Sequence, residues 1–372
     1  MKTETAFNFG TLRTFEGLQG AKIYQIPLQV FPILSGYVYL VLVEDAGVEY
    51  RVLIDTGSGY GDSNKHLEEG LQAISAESGR EIGLQDLTHV FITHGHIDHF
   101  GGLSYVRPRT NALVGVHELD LRNLTNYDER LTMVARRLAQ YILEAGVPEG
   151  KRDELLQMYL LTKRLYHSIE VDFTYEASGM RVGPFEMLHV PGHCAGHVVI
   201  RLGDVLFSGD HILNETSPHQ SPEHLTLSTG LDHYLKSLDL LEGWATAIRL
   251  VLGGHKEPII DLPTRVAEIR QLHAARLTQV LDLLKEPHSV NEISQSLFGE
   301  VHGYNVLLAL EEAGAHVEYL YQRGLLGIAN LDEIAKNGST VPILYHRLAD
   351  KGLPTSDLYK KAPRSLPTNQ EA

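Results

Sequence analysis

Four side chains able to hold a metal ion fall within six residues in the run Thr93-His94-Gly95-His96-Ile97-Asp98-His99. In an extended segment, residues two apart project to the same side, so His94 and His96 can grip one ion together. If the chain then turns into a helix at Phe100-Gly101-Gly102-Leu103, Asp98 and His99 face a neighbouring position. The two glycines let backbone pass close to such a centre. A catalytic zinc takes about three protein ligands and keeps a position for water, so more donors are needed. Three candidates stand just after apolar, strand-like stretches: His193 in Val190-Pro191-Gly192-His193, Asp210 in Phe207-Ser208-Gly209-Asp210, and His255 in Gly253-Gly254-His255. Donors gathered from separate strand ends onto one sheet edge are what a preorganised metal site requires.

The elements that must place these donors read as strands and helices in alternation. Tyr37–Val43 and Tyr50–Ile54 are β-branched and aromatic around a turn at Glu44–Gly47, and Asp55-Thr56-Gly57 closes the second in a tight loop. Residues 64–79 carry Leu67, Leu71 and Ile74 on one helical face. Val90–Thr93 is a short buried strand that runs into the histidine cluster. Further strands are expected over Met180–His193, Val198–Leu202, Val205–Ser208 and Arg249–Leu252, with a helix at Tyr234–Ala247. This alternation indicates an α/β layered fold.

Two regions stand outside the pattern. Residues 119–175 have Leu131, Val134, Leu138 and Ile142 at helical spacing, together with Tyr127, Tyr141, Tyr159, Tyr166 and Tyr175. They read as a helical insertion with an aromatic core, or as a lid over a substrate pocket. From Leu262 a long helix is expected over Thr264–Leu284 and a capped helix start at Ser289–Ile293. Two more helical stretches, Asn305–Ala313 and His316–Arg323, precede Gly324–Ile328, and the set resembles a winged-helix module. The organisation expected is a catalytic domain over 1–261, a winged-helix-like domain over 262–336 and a loosely ordered tail over 337–372.

Bulk properties narrow the partners. A formal net charge of −15 over 372 residues disfavours attraction to nucleic-acid phosphate. The single cysteine, Cys194, allows no intrachain disulfide and no thiolate-rich zinc site. No stretch reaches the roughly 20 apolar residues that span a bilayer, and the first residues do not read as a signal peptide, so a cytoplasmic setting without membrane partners is expected.

The run from Thr93 to His99 resembles the signature motif of the metallo-β-lactamase superfamily. Leu53-Ile54-Asp55-Thr56-Gly57 resembles its first motif, and His193, Asp210 and His255 fall where its later motifs stand. The resemblance spans roughly residues 20–260. It implies a four-layer αββα sandwich, with His94, His96 and His193 on a first metal, Asp98, His99 and His255 on a second, and Asp210 bridging. Asp55 would support the ligand loop without binding metal. The implied cofactor is a pair of divalent ions, zinc foremost, with iron or manganese accepted by the same donors. Class B1 β-lactamases place cysteine where this chain has Asp210, which argues against antibiotic hydrolysis. The diiron flavoproteins of the family replace the histidine at His96 by glutamate, which argues for a hydrolase here.

Two ions sharing one oxygen bring the pKa of bound water toward neutrality. The expected activity is therefore attack by a metal-bridging hydroxide on a small thioester, ester or lactone, as in relatives similar to hydroxyacylglutathione hydrolase. Asp98 would orient the hydroxide and accept its proton, and Asp210 would share in catalysis through the bridge. A phosphodiesterase or endoribonuclease is the alternative, because the layout resembles the lactamase-β-2-like branch with its C-terminal winged helix. A third reading is a nucleic-acid- or partner-binding protein with a structural metal site. The appended module could also serve to form a homodimer. His189 and His197 are expected to be structural. His211, His219, His224 and His233 are candidates for lining a cleft.

Overall fold

The computed structural model describes residues 3–7 and 9–348. Five antiparallel strands open the chain: β1 (Thr3–Phe7), β2 (Gly10–Glu16), β3 (Lys22–Phe31), β4 (Leu34–Asp45) and β5 (Val48–Ile54). After helix α1 (Ser63–Ser78), strand β6 (His89–Phe91) lies parallel to β5. Short helices α2 (Ile97–Phe100) and α3 (Leu103–Val106) lead to β7 (Leu113–Val116), parallel to β6. Helices α4 (Glu118–Thr125), α5 (Tyr127–Glu144) and α6 (Glu149–Lys163) follow, and β8 (Phe173–Thr174) completes an eight-stranded sheet in chain order.

The second sheet is built from β9 (Arg181–Val182), β10 (Phe185–His189), β11 (Val198–Leu202) and β12 (Val205–Gly209). Helix α7 (Leu231–Trp244) then crosses to β13 (Leu250–Gly253), which pairs parallel to β12. The strand order is β13-β12-β11-β10-β9.

Side-chain alternation makes the layers. In β4, Tyr39, Val41 and Val43 enter a core shared with the second sheet, while Val38 and Leu40 pack outward beneath α1. In β11 to β13, Val198, Ile200, Phe207 and Leu252 face that same shared core. Val199, Leu206 and Val251 face outward onto α7 and the C-terminal helices. Period-two patterning thus buries both faces of both sheets, as a four-layer αββα sandwich requires.

The C-terminal region comprises α8 (Leu262–Leu283), α9 (Val290–Phe298), α10 (Asn305–Gln322), β14 (Leu326–Ile328), α11 (Leu331–Asn337) and β15 (Tyr345–Arg347). Its starts follow local chemistry. Asp261 caps α8 by accepting from Thr264 N–H, and Ser289 with Glu292 forms the reciprocal capping box expected for α9. Leu277, Val280, Leu310 and Val317 join one apolar cluster with Tyr141 of α5, Tyr234 of α7 and Val251 of β13. The helices therefore share the core of the second sheet.

Several expectations are corrected. The two stretches Asn305–Ala313 and His316–Arg323 are one helix, α10. Gly314 is no stop. It lies where a Cβ would strike the Tyr141 hydroxyl, which donates to Leu310 O at 2.7 Å. Residues 337–348, expected within a loose tail, carry β15, which pairs antiparallel with β14; the remainder of that stretch, 349–372, lies outside the described residues. The region 119–175 is helical only in part, since β8 belongs to the first sheet and Tyr175 is fully buried between the sheets. The strand expected over Met180–His193 is broken into β9 and β10 by a turn at Gly183, with φ +53, and His193 sits in the following loop.

Candidate metal centre

Strands β5, β6, β12 and β13 end on one edge, and each releases part of the site: Asp55 after β5, His94 to His99 after β6, Asp210 after β12, His255 after β13. The loop between β10 and β11 adds His193. All seven candidate ligands come together there. Donor atoms of His94, His96 and His193 lie within 4.8 Å of one another, as do those of His94, His99 and Asp210, and those of Asp98, His99 and His255. Asp210 is central: its Oδ2 is 3.5 Å from His99 Nε2, 3.5 Å from His255 Nε2 and 3.9 Å from His193 Nε2. Asp98 Oδ2 is 3.3 Å from His255 Nε2.

The far sides of three rings are held by partners. His99 Nδ1 is 2.8 Å from Asp55 Oδ2, His193 Nδ1 is 2.7 Å from His219 O, and His255 Nδ1 is 2.7 Å from Ser35 O. A carbonyl or carboxylate can only accept, so these rings carry hydrogen on Nδ1 and turn Nε2 inward, the nitrogen that a metal would take once any proton on it is released. Asp55 adds the Thr93 N–H and hydroxyl, both at 2.8 Å, which locks β6 to β5 at the start of the ligand run. The backbone is tight as well. A Cβ on Gly254 would collide with His99 and Asp210.

Charge divides the cluster into two halves. Burial, with neighbouring imidazoles, holds His94 and His96 well below the usual histidine pKa, and burial also lowers His193. Burial opposes protonation of His99 too, yet the carboxylates of Asp210, Asp55 and Asp98 drive its pKa well above the usual value. His255 is pushed up to about 9 against burial by Asp210 and Asp98. Burial would raise Asp98 and Asp210, but the adjoining His99 and His255 hold both carboxyls well below their usual range. One half offers neutral imidazoles and the other a surplus of carboxylate.

Three buried atoms at the centre, His99 Nε2, His193 Nε2 and Asp210 Oδ1, have no hydrogen-bond partner. Each orphaned buried polar atom costs roughly 1–3 kcal/mol, so three of them within one cluster of ligand-type side chains mark a place for a cation. The donor set, imidazole and carboxylate with no thiolate, suits a divalent ion.

The model of the metallo-beta-lactamase superfamily, Lactamase_B, matches residues 33–283. The chain belongs to that superfamily. Among superfamily relatives, it is 26% identical over 305 residues to "Probable metallo-hydrolase YqjP" of Bacillus subtilis, covering 78% of this chain and 89% of that one. It is 25% identical to an atrochrysone carboxyl ACP thioesterase of Aspergillus chevalieri, covering 68% of this chain and 65% of that one. Among solved structures, a metallo-beta-lactamase family protein from Thermus thermophilus superposes with a TM-score of 0.67 at 28% identity. That match covers 88% of this chain and 98% of the other. Family membership and these relatives make the protein a hydrolase with His/Asp clusters able to bind metal.

The remaining histidines sort by contact. His197 Nε2 accepts from Asp210 N–H at 3.0 Å, and His189 Nε2 donates to Ala195 O at 2.8 Å. His211 is fully buried beside Tyr234, and burial depresses its pKa to about 3. His224 pairs with Glu318 and His233 with Glu223, both at 3.0 Å.

Asp120 of α4 escaped the sequence reading. Its carboxylate accepts from Gly95 N–H at 2.7 Å and from the Cys194 thiol at 3.2 Å, tying the loop of His94 and His96 to the loop of His193. The one available signal was an acidic residue in a first helical turn. Cys194, buried and bonded to Asp120, is not among the clustered donors. Around the centre, Tyr166 and Tyr304 lie near enough to feel the charge of Asp98, and Lys163 acts on His96. The Lys163 ammonium rests 4.8 Å from the Tyr159 ring and 5.9 Å from that of Tyr304. The insertion and the residue that leads into α10, Tyr304, thus both border the site.

Proposed function

We propose that this chain is a dinuclear metal-dependent hydrolase of small thioesters, esters or lactones. His94, His96 and His193 would hold one ion, Asp98, His99 and His255 the other, with Asp210 between them. The observation that carries this reading is that seven ligand-type side chains gather at one sheet edge and that His99 Nε2, His193 Nε2 and Asp210 Oδ1 among them are buried without a hydrogen-bond partner. Divalent ions there, zinc foremost, would supply a water acidified toward neutral pH and polarise the substrate oxygen.

The chain's own groups do the rest. Asp98, half-buried with its carboxyl kept ionised, would orient the attacking water by accepting a hydrogen bond from it. Asp55, Thr93 and Asp120 hold the donor loops in register, so little reorganisation is needed as charge develops. Tyr159, Lys163, Tyr166 and Tyr304 offer an aromatic wall with one cation, suited to an acyl group that carries a polar or anionic handle.

A thioester is favoured by the fungal thioesterase relative, and a small substrate by the net charge of −15. Phosphodiester or RNA cleavage is less favoured, because the C-terminal helices are sunk into the core of the second sheet. No helix among the described residues is long and apolar enough to cross a membrane, and a cytoplasmic setting forms part of the same proposal.

The test is a substrate panel run on the zinc-loaded protein: an acyl thioester, a lactone, bis-p-nitrophenyl phosphate and single-stranded RNA. Turnover of the thioester or lactone at least a hundredfold above the phosphodiesters is expected, on the order of what two buried contacts discriminate. Preference for RNA or the phosphodiester would overturn the substrate assignment. Metal analysis should find close to two ions per chain, and an active, folded, metal-free protein would sink the reading entirely.

A further inference from the structure

His193 is aimed by a backbone carbonyl, that of His219, on the loop between β12 and α7. Residues 217–220 of this loop are in turn gripped by the C-terminal helices. Gln220 N–H donates to Glu312 Oε2 at 2.7 Å, His219 Nε2 lies 3.2 Å from Leu308 O, and Ser217 Oγ lies 2.8 Å from His273 Nε2. Glu312 and Leu308 belong to α10, and His273 to α8.

The proton directions in this cluster are determined. His316 Nδ1 is 2.7 Å from the Glu312 carbonyl, which can only accept, so His316 carries its hydrogen there and presents Nε2 as an acceptor. His273 Nδ1, at 3.1 Å from that Nε2, must donate. His273 Nε2 is left to accept from the Ser217 hydroxyl. Both imidazoles must be neutral for the chain to close, and both are fully buried, which lowers each pKa, to about 4 for His316. Arg276 completes the group at 2.8 Å from Glu312 Oε1.

His273, Glu312 and His316 also bring ligand-type atoms within 4.8 Å of one another. Two facts argue against a third metal here: each of those atoms already has a partner, and the Arg276 guanidinium stands against the carboxylate a cation would need.

We propose that Glu312, His273, His316 and Arg276 form a clamp that positions His193 for its ion by fixing the loop 217–220. The proposal rests on the reading of His193 as a metal ligand. These four are positioning residues and touch neither the ion nor substrate. On this account the C-terminal helices are part of the metal centre's support rather than an appendage.

The experiment titrates zinc into metal-free full-length protein against a chromophoric chelator, resolving two affinities, with Glu312→Ala, Glu312→Gln, Ser217→Ala and His193→Ala. His193→Ala should lose one tight site; if it keeps both, the ligand reading fails before the clamp is at issue. Glu312→Ala should weaken that same site about 10–100-fold, as removal of a supporting contact does, and leave the Asp98/His99/His255 site unchanged. Glu312→Gln, which keeps an oxygen for Gln220 N–H, should recover most of the loss. Ser217→Ala, a half-buried hydroxyl, should cost about fivefold, the worth of one hydrogen bond, and decides the matter if Glu312→Ala does not fold. Wild-type affinities in both Glu312→Ala and Ser217→Ala would overturn the clamp, as would equal weakening of both sites, which mere destabilisation produces. A third zinc per wild-type chain, lost in Glu312→Ala, would replace it with a metal site.

Discussion

Among the described residues lie two buried clusters of histidine and carboxylate, and by composition they look alike. Around Asp210 and around Glu312, donor-type atoms fall within the same 4.8 Å. Atom-by-atom pairing separates them. At Asp210 three buried atoms lack partners and the carboxylates raise the pKa of His99 and His255. At Glu312 the polar atoms close on one another, an arginine stands in for the cation, and burial keeps His273 and His316 neutral. Proximity of ligand types is therefore a poor criterion for a metal centre. Unmet hydrogen-bonding capacity and unbalanced charge are better ones.

The sharpest way to break this contrast is to remove the centre of each cluster. Asp210→Ala should abolish turnover and bring the metal count below two per chain. His316→Ala should leave the count at saturating metal unchanged and lower thermal stability, by about 1–3 kcal/mol for the donor stranded on His273. Elemental analysis with thermal denaturation checks both. Retained turnover in Asp210→Ala would contradict its bridging place, and a lost ion in His316→Ala would make the second cluster a metal site.

A smaller effect is expected one step out. Asp120→Ala frees Gly95 N–H and the Cys194 thiol together. Metal affinity should fall about 10–100-fold, the usual worth of a supporting contact around a metal, with both ions still bound at saturation. Chelator competition reads this directly. Unchanged affinity would show that the two ligand loops hold themselves.

Asp120 also shows where the sequence stopped being legible. His94, His96, Asp98 and His99 could be read because their spacing is local and their strand is apolar. His193, Asp210 and His255 were legible because each follows a strand that must end at the same sheet edge. Asp120 reaches both loops only through the packing of α4, and the carbonyls of His219 and Ser35 act without any side-chain identity to read. The same limit explains the break expected between Ala313 and His316, where Gly314 lies inside α10 against the Tyr141 hydroxyl. It also explains the C-terminal region. Its helices were readable from spacing, whereas their fusion with the core of the second sheet depends on long-range contacts.

Titration gives the next test, with opposite signs for the two clusters. In metal-free protein His255 has its pKa raised to about 9 from the ordinary 6.5. The stability it contributes is full below 6.5 and is lost as pH rises through 9. His316 is lowered to about 4, so its contribution is present above 6.5 and is lost as pH falls through 4. Ring-proton NMR, assigned with His255→Ala and His316→Ala, should show one histidine titrating in the alkaline range and the other in the acid range. Zinc binding at pH 7 should release the His255 proton. Two ordinary titrations near neutrality would erase the electrostatic difference between the clusters.

The smallest expected effect concerns Cys194, which belongs to the support of the metal centre by contact and to neither cluster by chemistry. Its thiol is buried and donates to Asp120, and burial with the Asp120 charge beside it pushes its pKa far up, so it stays protonated. Cys194→Ser keeps a donor in a slightly smaller side chain and should be near neutral in metal content and melting. Cys194→Ala removes one donor from Asp120, whose oxygens keep Gly95 N–H and the Asn123 amide, and should cost about 1 kcal/mol, visible in chemical denaturation of the zinc-loaded protein, with both ions retained. Loss of an ion in Cys194→Ala that Cys194→Ser restores would mean that this one weak hydrogen bond, not the backbone donation from Gly95, sets the position of Asp120. Equal loss in both would instead make sulfur itself a ligand, contrary to its absence from the clustered donors.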